Sequence, residues 1–290
     1  MIDYDKLLKW RFPEVEHRLT TRDTILYALG VGFGDDPLDR DQLRFVYEQN
    51  LLAVPSMAAI LCFPGNWLRD PATGVDYGKQ VNAGNKLEIH GLLPVDGTLV
   101  STPRVVDIID KGVNKGALVI TERKVFDKAG GRAVCTVTTN SLCRSDGGFG
   151  GPPRTLPATP RPPDTPPDRS VEIATARNLA LIYRLNGDQN PLHVDPEFAR
   201  AAGYPQPILH GLATLGIATH ALLKACCAYD PARLTGIEVR YTSPVFPGDL
   251  LRTDIWFADG GARFRVVAAN RGPVVIDGGS AQIAENRSDT

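Results

Sequence analysis

The sequence has few of the features that mark secreted or membrane-spanning proteins. Its five cysteines are odd in number and include no CxxC pair, which argues against a disulfide framework and against a zinc site. No stretch reaches the roughly 18 apolar residues of a membrane span. The N-terminal MIDYDKLLKWRFPEVEHR has no apolar signal-peptide core. We therefore predict a cytoplasmic protein that does not bind membranes.

The sequence also has no surplus of either charge. Its 32 lysines and arginines are balanced by 33 aspartates and glutamates, so it lacks the basic excess that drives nucleic-acid binding. Apolar residues make up 43% and charged residues 22%, as in folded globular proteins. At 290 residues the chain exceeds the usual length of one domain, and two domains of similar size are expected.

Proline and glycine crowd the stretch GGFGGPPRTLPATPRPPDTPPDR at residues 147–169. Proline has no N–H to donate and interrupts helices and strands, so this stretch predicts a linker. Its composition favours extended polyproline geometry and a semi-rigid connection. We therefore expect an N-terminal domain at 1–146 and a C-terminal domain at 170–290.

The two halves are weakly similar at three places in the same order, and Tyr27 falls within one position of Tyr183 in the first of them. The matched pairs are RDTILYALG (22–30) with RNLALIYRL (177–185), LLAVPSMAAIL (51–61) with PILHGLATLGIA (207–218), and LEIHGLLPVDGTL (87–99) with IEVRYTSPVFPGDLL (237–251). Ordered matches of this kind favour an internal duplication. The alternative is chance similarity among apolar segments.

Each half is predicted to contain a short helix, then a long apolar helix, then several strands. Residues 209–227, LHGLATLGIATHALLKACC, are apolar on almost every side, which is typical of an enclosed helix. The segments that follow alternate apolar and polar residues between turn residues, the pattern of antiparallel strands. The sequence therefore predicts an α+β fold in which a curved antiparallel sheet wraps a central helix in each half.

A dense polar cluster lies in YRLNGDQNPLHVDP at residues 183–196. Its Gly, Asn-Pro and Asp-Pro steps interrupt any helix, so Asp188, Asn190 and His193 are expected in a loop. A carboxylate beside an imidazole suits acid–base chemistry, because histidine titrates near neutral pH and burial shifts an aspartate. Alternatively, Asp188 and Asn190 make only Asx turns. Asp195 is expected to cap the helix that follows.

A second polar feature, His210-Gly211, opens the apolar helix. The free N–H groups and the dipole at a helix N-terminus favour negative charge, and glycine lets a ligand oxygen approach the backbone. This arrangement suits an oxyanion hole, which is worth roughly 3–4 kcal/mol. The alternatives are close packing of Gly211 against a strand and a core or capping role for His210.

The stretch YRLNGDQNPLHVDPEFARAAGYPQPILHGLATLG resembles the signature of the MaoC-like, R-specific enoyl-CoA hydratases. TTRDTILYALGVG in the first half resembles the opening of the two-repeat, eukaryotic-type members of that family. The resemblance covers nearly the whole chain and implies a double hot-dog fold, in which each repeat wraps a long helix in a curved sheet. It also implies a homodimer.

The resemblance implies reversible addition of water to trans-2-enoyl-CoA, giving (3R)-3-hydroxyacyl-CoA, in β-oxidation of medium, long or bulky acyl groups. Asp188 and His193 would hold the water. The sequence does not decide which of the two takes the first proton, and we expect His193 as the base and Asp188 as the proton donor or relay. Asn190 would orient the water, and the Gly211 amide would bind the thioester oxygen. The expected partner is an acyl-CoA thioester, and the reaction requires neither a metal nor a cofactor.

The first half departs from the catalytic pattern. Its segment VGFGDDPLDR has no histidine at the matching place, and Pro55 and Ser56 stand opposite His210 and Gly211. We therefore expect the first half to be non-catalytic. The resemblance implies that this half gives up part of its helix packing to make room for a long or bulky acyl chain.

Three further assignments concern residues outside these motifs. Met57 and Leu61 either line the acyl space or belong to the core. His90 falls in a strand-like run and is not expected to be a counterpart of His210. The candidates for binding the CoA phosphates, among which the sequence does not decide, are Arg184, Arg240, Arg263 and Arg265.

Other functions on the same scaffold are a dehydratase acting on carrier-protein thioesters, a thioesterase, and a non-catalytic acyl-CoA-binding protein. Asp188, His193 and Gly211 together favour hydration over thioester hydrolysis. They do not distinguish CoA from a carrier protein. The intact aspartate and histidine argue against a purely binding role.

Overall fold

Eleven strands of this chain form one antiparallel sheet. The structure is a computed structural model and describes residues 2–152 and 161–285. Part of the predicted linker, residues 153–160, lies outside the described residues, and its extended geometry stays a prediction. No helix in the described ranges is long and apolar enough to cross a membrane.

Most of the described secondary structure is strand. The strands of the first half are β1 (Val15–Leu19), β2 (Gln80–Ile89), β3 (Gly97–Ser101), β4 (Arg104–Asp110), β5 (Ala117–Asp127) and β6 (Ala133–Cys143). Those of the second half are β7 (Arg169–Ala174), β8 (Leu234–Tyr241), β9 (Leu250–Ala258), β10 (Gly261–Ala268) and β11 (Val274–Ile283).

Helices are mostly short. The α-helices are α1 (Tyr4–Leu8), α2 (Thr21–Leu29), α3 (Arg40–Leu43), α4 (Leu179–Tyr183), α5 (Pro196–Ala201) and α6 (Gly211–Cys226). The 3-10 helices are Pro55–Ala59, Trp67–Arg69, Pro71–Thr73, Tyr77–Lys79, Arg184–Asn186, Pro191–His193 and Pro231–Arg233. The α+β prediction is confirmed.

The strand order is β1-β3-β5-β6-β2-β8-β11-β10-β9-β7, and β4 also pairs with β5. β2 and β8, which overlap the third pair of matched segments, lie side by side at the centre. β1 and β7 form the two ends, and each precedes a helix that carries one of the matched tyrosines. The rings of Tyr27 and Tyr183 lie 6.0 Å apart. An internal duplication predicts this mirrored order.

The long helix of the second half confirms the prediction for residues 209–227. α6 contacts β7, β8, β9 and the 3-10 helix Pro55–Ala59. Every residue from Ala213 to Leu223 is buried. A helix without a polar face is stable here because other elements cover its sides. Gly216 allows the first half to approach closely, since a Cβ there would lie 2.3 Å from a methyl of Val31.

The first half has no counterpart of α6, which corrects the prediction of a long apolar helix around residues 51–61. The five-residue 3-10 helix Pro55–Ala59 stands there instead. The chain turns away at Cys62, whose φ is 49°. The buried guanidinium of Arg123 donates to carbonyl oxygens at the end of this short helix. The apolar run could not show that an arginine on β5 satisfies those carbonyls.

The join between the two halves depends on Gly84. This residue lies opposite Arg240 in the β2–β8 pair, and a Cβ there would lie 2.5 Å from the carbonyl oxygen of Val239. We expect Gly84→Ala to force the strands apart and to lower the free energy of unfolding by about 1–3 kcal/mol. Chemical denaturation measures the change. Gly78→Ala is the control, since its Cβ would meet no atom closer than 3.5 Å; equal losses would contradict this account.

Candidate active site

The polar loop of the second half folds into two 3-10 turns on either side of Gly187. Arg184–Asn186 forms the first turn and Pro191–His193 forms the second. Gly187 has a φ of 110°, which glycine adopts without the strain that a Cβ would cause. This glycine therefore lets the chain change direction directly before the polar residues.

Asp188 and Asn190 make the predicted Asx turns. Asp188 Oδ1 accepts a hydrogen bond from the Asn190 N–H at 3.2 Å, and Asn190 Oδ1 accepts one from the Leu192 N–H at 3.0 Å. Both side chains nevertheless line a cavity. Asp195 caps α5 through two backbone N–H groups, as predicted.

His193 is held in one tautomer. Its Nδ1 lies 2.8 Å from the carbonyl oxygen of Ile208, which can only accept a hydrogen bond, so Nδ1 carries the proton. Nε2 is then the unprotonated nitrogen of the neutral ring. Burial lowers the pKa of His193, although the nearby Asp188 and the bond to Ile208 raise it. The ring is therefore neutral at physiological pH, and Nε2 is available as a base.

His210 packs behind His193, with the two ring centroids 3.7 Å apart and the planes 28° from parallel. Its Nε2 donates to the carbonyl oxygen of Asp188 at 3.1 Å. Burial, reinforced by His193, lowers the pKa of His210 to about 3. His210 is therefore a neutral core residue that holds the Asp188 backbone. Its Nδ1 is buried without a partner among the described residues.

Asp188, His193 and His210 each have a potential metal-ligand atom within 4.8 Å of the others. A metal ion bound by both histidines needs lone pairs that converge on it, and these lie in the planes of the rings. Because the two rings stack nearly parallel, their lone pairs lie in nearly parallel planes and do not converge on one point between the rings. This arrangement favours acid–base chemistry over joint coordination of a metal.

The N-terminus of α6 is open. Gly211 is the first helical residue, and no side chain caps the helix. Within the described ranges, the N–H groups of Gly211 and Leu212 donate no hydrogen bond. Gly211 lines the cavity, and a Cβ there would lie 3.3 Å from the ring of Tyr241. Free N–H groups at the positive end of a helix dipole are suited to an oxygen that carries negative charge.

The cavity beside these groups has a volume of about 270 Å³ and is formed by both halves of the chain. The second half contributes Asp188, Asn190, His193, Gly211 and Tyr241, among others. The first half contributes aromatic side chains and a row of polar ones, including Phe63, Trp67, Tyr77, Asn85, Thr121, Arg123, Thr139 and Ser141.

A hydrogen-bond network connects the two halves at the cavity. Tyr241 donates through its hydroxyl to Asn85 Oδ1 at 3.1 Å, and Asn85 Nδ2 donates to Thr139 Oγ1 at 3.1 Å. Asn82 Nδ2 also donates to Asn85 Oδ1, at 2.8 Å. The strand that supplies Asn85 therefore positions the tyrosine that packs against Gly211.

The cavity residues of the first half were not predicted from the sequence. Asn85, Thr139 and Tyr77 lie far from the polar loop in sequence, and only strand pairing and turns bring them to it. The pKa of Tyr77 is raised by burial and by the charge of Asp188. Alternating polar residues on β2, β5 and β6 were the available signal, but strand alternation also describes a solvent-facing side.

Met57 and Leu61 belong to the core, since both are fully buried and neither lines the cavity. His90 bonds to Thr136 Oγ1 at 2.9 Å at the end of β2, in agreement with the prediction that it is no counterpart of His210. Ser56 accepts a hydrogen bond from the Tyr27 hydroxyl at 3.0 Å.

None of the four arginines considered for CoA binding lines the cavity. Arg240 pairs with Asp277 at 3.1 Å, and Arg265 lies 3.8 Å from Asp254. The arginines among the described lining residues are instead Arg123, which is buried, and Arg144, which is exposed.

Comparison with known proteins agrees with the fold. The sequence matches the MFE-2 hydratase 2 N-terminal domain over residues 17–145 and the MaoC like domain over residues 158–277. The 3-hydroxyacyl-thioester dehydratase Y of Mycobacterium tuberculosis is 38% identical over 91% of this chain and 92% of its own length. The chain belongs to the two-repeat, MaoC-like hydratase 2 family.

Other members of the MaoC-like family are similar over nearly the whole chain. Peroxisomal enoyl-CoA hydratase 2 of Arabidopsis thaliana is 33% identical over 94% of this chain and 93% of its own length. The crystal structure of a MaoC-like dehydratase from Phytophthora capsici is 34% identical, and its TM-score is 0.86 over 97% of this chain and 99% of that one. A Mycobacterium tuberculosis protein whose structure is described as a double hotdog fold also aligns with a TM-score of 0.59 over 97% of this chain and 98% of that one, at 17% identity. This similarity confirms the double hot-dog expectation, apart from the missing long helix of the first half.

The low pKa of His210 makes stability depend on pH. In the unfolded chain histidine gains a proton below pH about 6.5, whereas folded His210 does not until about pH 3. The contribution of neutral His210 to the free energy of unfolding is therefore complete above pH 6.5. It is lost as the pH falls, by up to about 1.4 kcal/mol per pH unit. Denaturation between pH 7 and about 4.5 should give a shallower loss for His210→Gln than for the wild type. Identical slopes would contradict this assignment.

Proposed function

We propose that this protein is an R-specific enoyl-CoA hydratase, which adds water reversibly to trans-2-enoyl-CoA and gives (3R)-3-hydroxyacyl-CoA. One observation carries the proposal: His193, the Asp188 carboxylate and the open helix N-terminus at Gly211 border a single cavity. Two relatives, named as a dehydratase and a hydratase, support the same chemistry. The substrate is an acyl-CoA with a medium, long or bulky acyl group, as used in β-oxidation.

His193 takes the proton of the attacking water through Nε2. The bond from Nδ1 to the Ile208 carbonyl orients the ring, and the lowered pKa keeps it unprotonated at neutral pH. The Asp188 carboxylate holds the same water and relays the proton from His193 to the α-carbon. The Asn190 N–H positions that carboxylate and so orients the water indirectly. A base and a proton donor within reach of one substrate are the requirement of this reaction.

Gly211 stabilises the charge that develops during the addition. As water oxygen bonds to the β-carbon, the electron pair of the double bond moves towards the thioester oxygen. The N–H of Gly211 donates to that oxygen, and the helix dipole adds to the effect. His193 takes one proton from the water, and Asp188 relays that proton to the α-carbon as the electron pair returns from the thioester oxygen. Both side chains end in their starting protonation states, so atoms and charge balance without electron transfer.

The two halves have different roles in this proposal. Residues 170–290 form the catalytic repeat, because they supply His193, Asp188 and Gly211. Residues 1–146 form a non-catalytic repeat whose side chains line the remainder of the cavity. The short helix Pro55–Ala59, in place of a long one, supports an acyl-binding role for this repeat.

CoA, rather than a carrier protein, is the proposed carrier of the acyl group. Arg144 is exposed at the cavity and is the proposed contact for a CoA phosphate. The homodimer stays a prediction. The pairing of β2 with β8 lies within one chain and does not test it. The cytoplasmic location also stays a prediction.

The second candidate is a dehydratase that acts on 3-hydroxyacyl thioesters, and the relative named 3-hydroxyacyl-thioester dehydratase Y favours it. Dehydration is the reverse of hydration and uses the same groups. The two candidates differ in the carrier of the acyl group and in the direction of physiological flux.

The test mixes the purified protein with crotonyl-CoA, trans-2-decenoyl-CoA and a branched enoyl-CoA while the absorbance of the enoyl thioester is followed. Loss of absorbance with (3R) product supports the hydratase. Turnover confined to carrier-protein thioesters favours the dehydratase. No turnover of any enoyl thioester would overturn both.

Substitutions of the acid–base pair should abolish turnover while leaving the fold intact. We expect Asp188→Asn and His193→Ala each to lower kcat by about 10²- to 10⁴-fold, because each removes one proton-transfer group. Asp195→Asn is the matched control in the same loop, since Asp195 only caps α5. The wild-type kcat/KM should fall on the acid side below pH 6.5, because protonation removes the base. A control variant as impaired as Asp188→Asn would refute the assignment.

The role of the Gly211 amide can be separated from the role of its missing side chain. Proline is tolerated at the first position of a helix, and His210 already has φ −57° and ψ 135°, which suit a residue before proline. Gly211→Pro therefore removes the N–H, whereas Gly211→Ala keeps it and adds a Cβ beside Tyr241. We expect kcat to be about 10²- to 10³-fold lower in the proline variant than in the alanine variant. Equal values in the two variants would argue against an oxyanion role.

A further inference from the structure

Arg123 is the unusual residue of the cavity wall. It lies on β5 and lines the cavity, yet it is only 5% exposed. No carboxylate pairs with it in the described part of the chain. Burial lowers its pKa to about 10, so it still carries its positive charge at neutral pH. A buried guanidinium without an anionic partner requires other hydrogen-bond acceptors.

Backbone carbonyls satisfy one side of this guanidinium. Nε donates to the Leu61 carbonyl at 2.9 Å, and Nη2 donates to the carbonyls of Ala58 and Ala59. These bonds cap the short helix that stands where the second half has α6. Nη1 makes no hydrogen bond with any described residue. One nitrogen of a buried cation therefore remains free where the residue borders the cavity.

The sheet beside Arg123 is also polar on the cavity side. Thr121, Thr139 and Ser141 line the cavity, and Thr121 faces Thr139 across the β5–β6 pair. The hydroxyls of Thr121 and Ser141 have no hydrogen-bond partner among the described residues. An apolar acyl chain in this space would displace the water from these groups and leave them unpaired.

Thr139 and Thr121 connect Asn85, which lies near the reacting groups, to the part of β5 that carries Arg123. Asn85, Thr139 and Thr121 are direct neighbours in register across β2, β6 and β5. Asn85 bonds to Tyr241, which packs against Gly211. Two strand spacings and two residues along β5 separate the backbones of Asn85 and Arg123, a distance of about 12 Å. An acyl chain whose thioester oxygen meets Gly211 and whose far end reaches Arg123 would span this distance within the cavity.

We propose that the acyl group of the substrate carries an acidic group, a carboxylate, at its far end, which Nη1 of Arg123 binds with help from the Thr121 hydroxyl. This inference rests on the proposed function for the position of the thioester. The carboxylate supplies the acceptor that Nη1 lacks and the negative charge that the buried cation lacks. The hydroxyls satisfy its remaining lone pairs, which a buried ion pair requires.

Equilibrium binding tests this substrate class without depending on turnover. Isothermal titration calorimetry compares saturated acyl-CoA thioesters of eight, ten and twelve carbons with analogues in which a carboxylate replaces the terminal methyl. We expect the wild type to bind the carboxylate-ended compound at least about tenfold more tightly at the best length, as a charge-assisted hydrogen bond provides. Equal or tighter binding of the methyl-ended compounds at every length would overturn the proposal.

Variants then assign the preference to Arg123. Arg123→Met should abolish the ratio between the two affinities, whereas Lys124→Met, which removes an exposed cation from the adjacent position of the same strand, should retain it. Thr121→Val should reduce the ratio by a few fold. If circular dichroism shows that Arg123→Met does not fold, Thr121→Val alone tests the contact. An unchanged ratio in both cavity variants would contradict the proposed contact.

Enoyl-CoA turnover by the same preparations separates the two proposals. Hydration of methyl-ended enoyl-CoA without any preference for the acidic compounds would refute this inference and leave the proposed function standing. Preferred binding of acidic compounds without hydration of any enoyl-CoA would refute the proposed function and leave the preference for an acidic acyl group standing.

Discussion

The antiparallel pairing of β2 with β8 is the interaction on which the rest of the structure depends. It joins the two halves into one sheet at its centre. It also brings Asn85 of the first half to Tyr241 of the second, whose ring packs against Gly211. The cavity is therefore a property of the joined sheet, because neither half alone supplies its walls.

The two halves use the same topology for different purposes. In the second half, α6 fills the curve of the sheet, and its open N-terminus meets the histidine and aspartate of the polar loop. In the first half a five-residue 3-10 helix stands in the matching place, and Arg123 from β5 satisfies the carbonyls at its end. The buried cation that satisfies these carbonyls also lines the cavity.

The sequence predicted the parts of the site that are local in the chain. Asp188, Asn190 and His193 lie within six residues, and glycine and proline around them indicate a loop without knowledge of the fold. The apolar helix after Gly211 could also be predicted, because its composition leaves no polar face. The cavity wall of the first half could not be predicted, because its residues meet only through strand register. The apolar run at 51–61 was wrongly predicted to be a long helix, since the arginine that caps its short form lies far away in sequence.

The most direct test of the account is a crystal structure of the complex with a (3R)-3-hydroxyacyl-CoA. The account predicts the thioester oxygen within about 3 Å of the Gly211 nitrogen, and the 3-hydroxyl within hydrogen-bonding distance of both His193 Nε2 and the Asp188 carboxylate. The acyl chain should extend along β2, β6 and β5 into the first half. A thioester bound away from the N-terminus of α6, or a 3-hydroxyl that contacts neither side chain, would contradict it.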